Sequence, residues 1–297
     1  MYSSQKILNG VHKISDFYFS KYTTYGLGGK AKEAFFPENE EEAIAVFDYL
    51  LEKGEKFIVL GNGSNILASN KPFDGAVICT KFLKGIKIVD GNLKVLCGTT
   101  VSELLSFCQY NGIGGFEYLA GIPASIGGLA FMNGGINGRH ICDDIMSVRL
   151  HDGKTNDLLN EKCNFGNKHS TMRDINSMIL SVLLKYKNAE PQKICDNISQ
   201  ALIKRRNQPK GKSCGCVFKN PEGYSAGKLI DETGLKGATV GCAEVSMQHA
   251  NFIINNGANS DDVYSLIQFV KNKVYEKTHI LLEEEVVYIG EFNDTDR

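Results

Sequence analysis

The stretch EAFFPENEEEAIAVFDYLLEKGEKFIVLGNGSN, residues 33–65, sets the first half of the architecture. Residues 33–37 read as a strand. Asn39, followed by three glutamates, has the chemistry of a helix N-cap: its side chain can accept from an orphan N–H, and the carboxylates face the positive end of the helix dipole. The helix runs to about Gly54, and FIVLG at 57–61 is a short apolar run that reads as a buried strand. Strand, helix and strand make a βαβ unit. The loop that leaves it, Gly61-Asn62-Gly63-Ser64-Asn65, offers consecutive backbone N–H groups and three polar side chains, which suits an anion nest around a pyrophosphate. It is not a Rossmann fingerprint, because Ile66 stands where the third glycine of G-x-G-x-x-G belongs, and no G-x-x-x-x-G-K-[ST] occurs in the chain. A tight strand-to-loop turn explains the same residues equally well.

Further strands are expected at 76–80, 86–89 and 93–97, the last two joined by Asp90-Gly91-Asn92, a hairpin signal. A helix at 101–110 leads into a second glycine-rich segment. In Gly121-Ile122-Pro123-Ala124-Ser125-Ile126-Gly127-Gly128 and the later Asn133-Gly134-Gly135, glycines alternate with apolar residues and one hydroxyl. Such a backbone can lie against a large flat apolar ligand, with Ser125 supplying a hydrogen bond; a packed glycine-rich crossover is the alternative. One loop suited to a diphosphate and one suited to a flat ring together point to an extended dinucleotide such as FAD.

Strands at 146–151 and 178–185 come next, the first closed by the turn Asp152-Gly153. The composition shifts at Pro191. A helix at 193–207 would present Ile194, Ile198, Leu202 and Ile203 on one face, and a second at 261–277 would present Val263, Leu266, Ile267, Val270 and Val274. With strands in NFIINN and EEVVYIG, the last hundred residues read as α+β. The expected division is 1–190 and 191–297.

A third segment, KSCGCVFKNPEGYSAGKLI at 212–230, crowds two thiols, an Asn and three lysines into a glycine-interrupted turn. Gly215, Gly223 and Gly227 let the backbone bend and approach a ligand, while Cys214, Cys216, Lys219, Asn220 and Lys228 can donate protons or bind anions.

The 297 residues are 42% hydrophobic and 23% charged, with a net charge of −1. That balance argues against a general nucleic-acid or anionic-membrane binder. No run approaches the ~18 apolar residues of a membrane span, and Lys6, His12, Lys13 and Asp16 interrupt any signal-peptide core, so a cytoplasmic protein is expected. Nine irregularly spaced cysteines read as free thiols in a reducing compartment. Of these, Cys79, Cys97, Cys108, Cys163, Cys195 and Cys242 are expected to pack as small apolar residues. Cys214 and Cys216 lack a second Cys or His pair at zinc-binding spacing, so no metal is expected.

Seven segments, in order, carry a family resemblance: YTTYGLGGKA (22–31), GNGSNIL (61–67), GIPASIGG (121–128), CVFKNP (216–221), AGKLI (226–230), HANFIINN (249–256) and EEVVYIG (284–290). The chain resembles the UDP-N-acetylenolpyruvoylglucosamine reductase (MurB) family of peptidoglycan synthesis from about Tyr22 to Gly290, in its compact type II branch. The resemblance implies an FAD-binding half of the vanillyl-alcohol oxidase (PCMH) type with two α+β subdomains, and a C-terminal α+β substrate domain. NADPH would reduce the flavin. The enolpyruvyl ether of UDP-N-acetylglucosamine would then accept a hydride at its vinyl CH2 and a proton at the carbon bearing the carboxylate. FAD would be held by Gly61, Asn62, Gly63, Ser64, Asn65 and Ile66 and by Gly121, Ile122, Pro123, Ser125, Ile126, Gly127, Gly128, Asn133 and Gly134.

Hydride addition to an enolpyruvyl group drives negative charge onto the carboxylate, so catalysis needs a cation or donors there and an acid at the adjacent carbon. The family uses an Arg in a Tyr-Arg pair, a Ser in the turn and a Glu near the C-terminus. Here Asn167-Lys168 falls at the Tyr-Arg position; Lys168 keeps the charge but not the bidentate fork, and Arg173 is a nearby substitute. Cys216 falls at the Ser position. A thiol with a reference pKa of ~8.5 is a stronger acid than a hydroxyl and still mostly protonated at neutral pH, and Lys219 or Lys228 would make it more reactive. Cys214 is expected to be structural. Glu285 falls at the family Glu, with Glu283 and Glu284 as register alternatives. Arg206, Lys219, Asn220, Lys228, His249 and Asn251 would anchor the UDP-sugar. Two other readings stand beside it: a flavin oxidase or dehydrogenase acting on an alcohol or aldonolactone, which would share the first half of the chain, and a non-catalytic flavin-binding homologue, suggested by the Arg-to-Lys and Ser-to-Cys departures. No feature of the sequence sets an oligomeric state.

Overall fold

The computed structural model describes residues 7, 8, 10–136 and 138–293. Lys6, used above in reading the N-terminus, lies outside them. The chain divides into two compact units, 1–15, 33–62 and 75–206 in the first, and 16–32, 63–74 and 207–297 in the second.

In the first unit, helix α1 (Glu40–Glu52) forms where the sequence placed it. Asn39 accepts from the Glu42 N–H at 2.9 Å, and Ala43, Val46, Phe47 and Leu50 face the core. Strands β1 (His12–Tyr18), β2 (Lys30–Phe36), β3 (Phe57–Leu60) and β5 (Phe73–Cys79) form one sheet in the order β1-β2-β5-β3; β4 (Ile66–Ala68) belongs elsewhere. The strands flanking α1 are therefore not neighbours: β5 lies between them and runs parallel to β3.

A second sheet carries β6 (Ile86–Val89), β7 (Asn92–Leu96), β8 (Ile145–His151), β9 (Thr155–Leu159) and β10 (Met178–Leu184) in the order β9-β8-β10-β7-β6, antiparallel throughout. Its β6–β7 hairpin turns on Asp90 and Gly91, both at positive φ, 49° and 72°. A two-residue hairpin whose twist matches its strands requires that conformation. Helix α2 (Val101–Tyr110) starts at a complete capping box between Thr100 and Glu103, and α3 (Ile126–Met132) starts at Ser125.

Helix α4 (Pro191–Lys204) packs against α2 and the 117–119 turn. This places the helix with the first unit, although the linear boundary drawn from composition at 190/191 groups it with the C-terminal residues. Its buried side differs from expectation. Ile194 is buried and Ile198 and Ala201 pack on the core, while Leu202 and Ile203 are 47% and 62% exposed. At ~100° per residue, Ile203 stands about half a turn from Ile194.

The second unit has its own core. The three-stranded antiparallel sheet β11 (Thr239–Val240), β12 (Ala243–Val245) and β13 (Ile253–Asn255) packs against α6 (Ser260–Thr278). The α6 side chains Val263, Leu266, Ile267, Val270 and Val274 are all buried, as the spacing predicts. Helix α6 is entered through an Asn259–Asp262 capping box, and α5 (Ala226–Thr233) is capped by Ser225 and ended by Gly234 at φ 83°. β14 (Val287–Ile289) pairs in parallel with β4.

All nine cysteines are free thiols, but they are not uniformly packed. Cys79, Cys97, Cys108, Cys163 and Cys214 are buried, whereas Cys195 is half-buried and Cys242 exposed, so the last two do not pack as core residues. Among the described residues no helix is long and apolar enough to cross a membrane.

Candidate active site

In the first unit the two glycine loops meet. The Asn62 side chain donates to the Pro123 carbonyl at 2.7 Å, and a Cβ on Gly61 would stand 2.6 Å from Ser125 Oγ. Segments far apart in sequence are thus joined by glycine-permitted contact. Ser125, nearly fully buried, caps α3 by accepting from Gly128 N–H at 3.3 Å, so the segment beyond it is helix rather than extended loop.

The next amides are also committed: Ile126 N–H to Thr99 O and Gly127 N–H to Cys97 O, each at 2.8 Å. Gly127 has a packing reason, since a Cβ there would lie 2.6 Å from the Cys97 Cβ. Asn133 is a left-handed C-cap whose side chain donates to Gly166 O and accepts from Cys142 N–H, and a Cβ on Gly134 would strike Leu129.

The loop at 61–65 is different. Among the described residues, the amides of Asn62, Gly63 and Ser64 donate no hydrogen bond to the chain. Adjacent amides without chain partners are the equipment for binding an anion. Gly63 is held at φ 63° where a Cβ would run into the Tyr22 carbonyl. Only glycine fits there. The loop therefore suits the diphosphate of a dinucleotide.

Lys168 lies on a loop fastened to α3. Asn133 holds Gly166, and Ser170 donates to Phe131 O at 2.7 Å. Lys168 has positive φ (55°) and is half-buried. The guanidinium of Arg173 donates to the Lys168 carbonyl and lies over the Phe131 ring, so its charge is engaged in holding this loop. Arg206 ends the same unit, exposed.

In the second unit the thiol turn is clamped on both sides by backbone bonds. Val217 N–H donates to Asn251 O at 2.9 Å, while Glu285 N–H donates to Val217 O at 2.7 Å and Lys219 N–H to Glu283 O at 2.8 Å. The buried Asn251 amide accepts from Phe218 N–H and donates to Phe218 O, at 2.9 and 2.8 Å. Asn251, expected to anchor substrate, uses its side chain to position the residues beside Cys216. Three separate sequence segments, at 216–219, 251 and 283–285, are thereby brought together.

The three consecutive glutamates are sorted by their partners. Glu283 pairs with Lys219 at 3.2 Å and Glu284 with Lys271 at 3.0 Å. Glu285 is held through its backbone, with its carbonyl accepting from the Asn65 side chain at 2.9 Å. Lys219 is more shielded than Lys228. Lys228 is 73% exposed and stands 3.7 Å from Glu232. Such a helix-surface pair has small energetic weight.

Asn220 accepts from Ala226 N–H at 3.0 Å, bracing the entry to α5. His249 packs on Phe252, accepts from Asn251 N–H at 3.2 Å through Nδ1, and sits 3.1 Å from where a Gly227 Cβ would be. Burial lowers its pKa, which keeps the imidazole neutral.

Sequence reasoning missed the neighbours behind the turn. Tyr25 is fully buried, and its hydroxyl faces the Cys214 thiol. Burial pushes that thiol up to about 12, and negative charge on Glu285 and Cys216 acts in the same direction. Only the fold joins these residues: Thr24 Oγ1 reaches Ser213 O, 189 positions away, at 2.6 Å.

Residues 207–289 match the family model described as UDP-N-acetylenolpyruvoylglucosamine reductase, C-terminal domain, and residues 31–157 match an FAD binding domain. A Caldicellulosiruptor saccharolyticus UDP-N-acetylenolpyruvoylglucosamine reductase is 36% identical over 91% of this chain and 90% of its own length. The same enzyme of Chlamydia abortus is 38% identical over 91% and 92%. The crystal structure of the Thermus caldophilus reductase superposes with a TM-score of 0.80 at 34% identity, covering 94% of this chain and 99% of that one. The chain belongs to the UDP-N-acetylenolpyruvoylglucosamine reductase family.

Proposed function

We propose that this protein reduces the enolpyruvyl ether of UDP-N-acetylglucosamine to UDP-N-acetylmuramate, using FAD and NADPH, in peptidoglycan precursor synthesis. The observation that carries the site assignment is the clamp on 216–219: the Glu285 and Val217 backbones are bonded to each other, with Cys216 next in the chain. FAD, when bound, supplies the hydride carrier between NADPH and substrate. The amides of Asn62, Gly63 and Ser64 would hold its diphosphate, and the close approach of Gly61 to Ser125 shapes the adjoining backbone.

Once the vinyl CH2 has gained a hydride, negative charge spreads into the carboxylate. Lys168 supplies a compensating charge, and Glu285, in its protonated form, donates a hydrogen bond to the developing aci-carboxylate. Cys216 gives its thiol proton to the carbon bearing the carboxylate, completing the lactyl ether. Lys219, Arg206 and Lys228 supply cations for the UDP diphosphate, and Asn220 and His249 supply neutral polar contacts. Asn251 acts through Phe218 by fixing the turn. Nine free thiols suit a reducing, cytoplasmic setting.

The test is rapid mixing of the reduced flavoprotein with UDP-N-acetylglucosamine enolpyruvate, read at the flavin absorbance. Cys216→Ala is expected to slow reoxidation by several orders of magnitude, and Cys216→Ser to retain it. Equal rates in Cys216→Ala and the parent would place the proton donor elsewhere. A parent protein that does not respond to this substrate would sink the functional reading.

A further inference from the structure

Asn65 is where the loop at 63–64 becomes a strand of the second unit. From Ile66 the chain pairs in parallel with β14, Val287 opposite Ile66, and Val287 N–H donates to Asn65 O at 2.9 Å. One step back along a parallel ladder of that register, the backbone N–H of Asn65 would donate to Glu285 O. The Asn65 side chain takes that place instead, donating to Glu285 O at 2.9 Å. Among the described residues the Asn65 backbone N–H donates no hydrogen bond to the chain, so it follows those of Gly63 and Ser64 as a third consecutive amide without a chain acceptor.

Both ends of this connection are braced. Thr24 N–H donates to Gly63 O at 3.1 Å, and Gly63, at φ 63°, lies so close to the Tyr22 carbonyl that no Cβ fits between them. At the other end Glu285 is fastened on both edges of its backbone: its N–H donates to Val217 O at 2.7 Å and its carbonyl accepts from Asn65. Val286 N–H reaches the same Val217 carbonyl at 3.4 Å. The Glu285 carbonyl and the amides at 63–65 are thus joined through one side chain. A leucine at 65 would match its shape but leave Glu285 O without that donor.

We propose that Asn65 is a positioning residue that couples the diphosphate loop to Glu285: its side chain replaces its own backbone N–H in the ladder, leaving that N–H for the anion and tying the Glu285 backbone to the anion's seat. The inference rests on the diphosphate placement and on the role of Glu285 given above. An anion held by the amides at 63–65 restricts the loop, and Asn65 passes that restriction to the strand at 285–287. Binding at one place then lowers the frequency of local opening at the other, which is a coupling free energy between them.

The experiment is hydrogen–deuterium exchange read by mass spectrometry on the full chain, stripped of flavin and saturated with FAD, following peptides that cover 61–67 and 283–290, with 261–277 as the report of an intact fold. In the parent, FAD is expected to slow exchange at 61–67 and, about tenfold, at 283–290. In Asn65→Leu and Asn65→Ala, FAD should still slow 61–67 but no longer 283–290. A parent-like response at 283–290 in Asn65→Leu overturns the proposal by showing that the side chain only fills space. A parent in which FAD slows 61–67 and leaves 283–290 unchanged also overturns it, while the diphosphate placement stands. A parent in which 61–67 does not respond to FAD removes the diphosphate placement and this inference with it. The parent comparison needs no variant, so it decides even where a substitution unfolds the chain, and it needs neither substrate nor turnover.

Discussion

Replacing Asn251 by Ala separates two roles that the sequence cannot tell apart. In the structure its amide makes two buried bonds to one residue, accepting from Phe218 N–H at 2.9 Å and donating to Phe218 O at 2.8 Å. Truncation orphans both backbone groups. Each costs about 1–3 kcal/mol when buried without a partner, so a loss of about 3 kcal/mol is expected from the lower half of that range. For a protein of this size that corresponds to a fall in Tm of about 6 °C, taking ~2 °C per kcal/mol. Urea denaturation and thermal melts followed by circular dichroism measure it, with substrate KM determined in parallel. Because Val217 and Phe218 come directly after Cys216, flavin reoxidation should slow as well. Suppose instead that Asn251→Ala raised KM and left stability within about 0.5 kcal/mol of the parent, the range of an uninvolved surface substitution. The residue would then be a substrate ligand and the positioning argument would fail.

Lys168→Arg should retain reoxidation, whereas Lys168→Met should slow it at least a hundredfold; equal rates for Lys168→Met and the parent would remove the residue from the site. Gly61→Ala, with its new Cβ 2.6 Å from Ser125 Oγ, overpacks the loop contact. It is expected to weaken FAD retention at least tenfold in a flavin-fluorescence titration, and unchanged affinity would refute the proposed contact. His249 has a lowered pKa in the fold, from burial. Its unfolded form therefore binds a proton first as pH falls: the stability it contributes is full above the unfolded value of ~6.5 and is lost as pH falls toward the folded pKa. Stability measured from about pH 8 to about pH 5 should flatten in His249→Gln, and an unaltered slope would show that other groups carry it.

Local signals located the elements well where a cap or a fixed turn geometry spoke for itself. Asn39 before three glutamates and Asp90-Gly91 each act within a few residues, and each formed as read. The glycines of 121–134 were harder to read, because a glycine that admits a ligand and one that admits a neighbouring strand look alike. Gly127 proved to be the second kind, pressed against Cys97, while Gly63 is pressed against the Tyr22 carbonyl in a loop whose amides at 62–64 donate to no chain partner among the described residues.

Residue types and their spacing set the chemistry available: a thiol in a glycine-interrupted turn, a lysine at 168, a run of three glutamates, and two glycine loops in family order. All of that is legible along the chain. The folded arrangement sorted that chemistry. Which glutamate pairs with which lysine, that Asn251 serves the backbone, and that Tyr25 stands behind Cys214 all depend on partners far away in the chain. A hydrogen bond or a buried contact is set by distance in space, and no periodicity in the sequence encodes which distant segment will arrive.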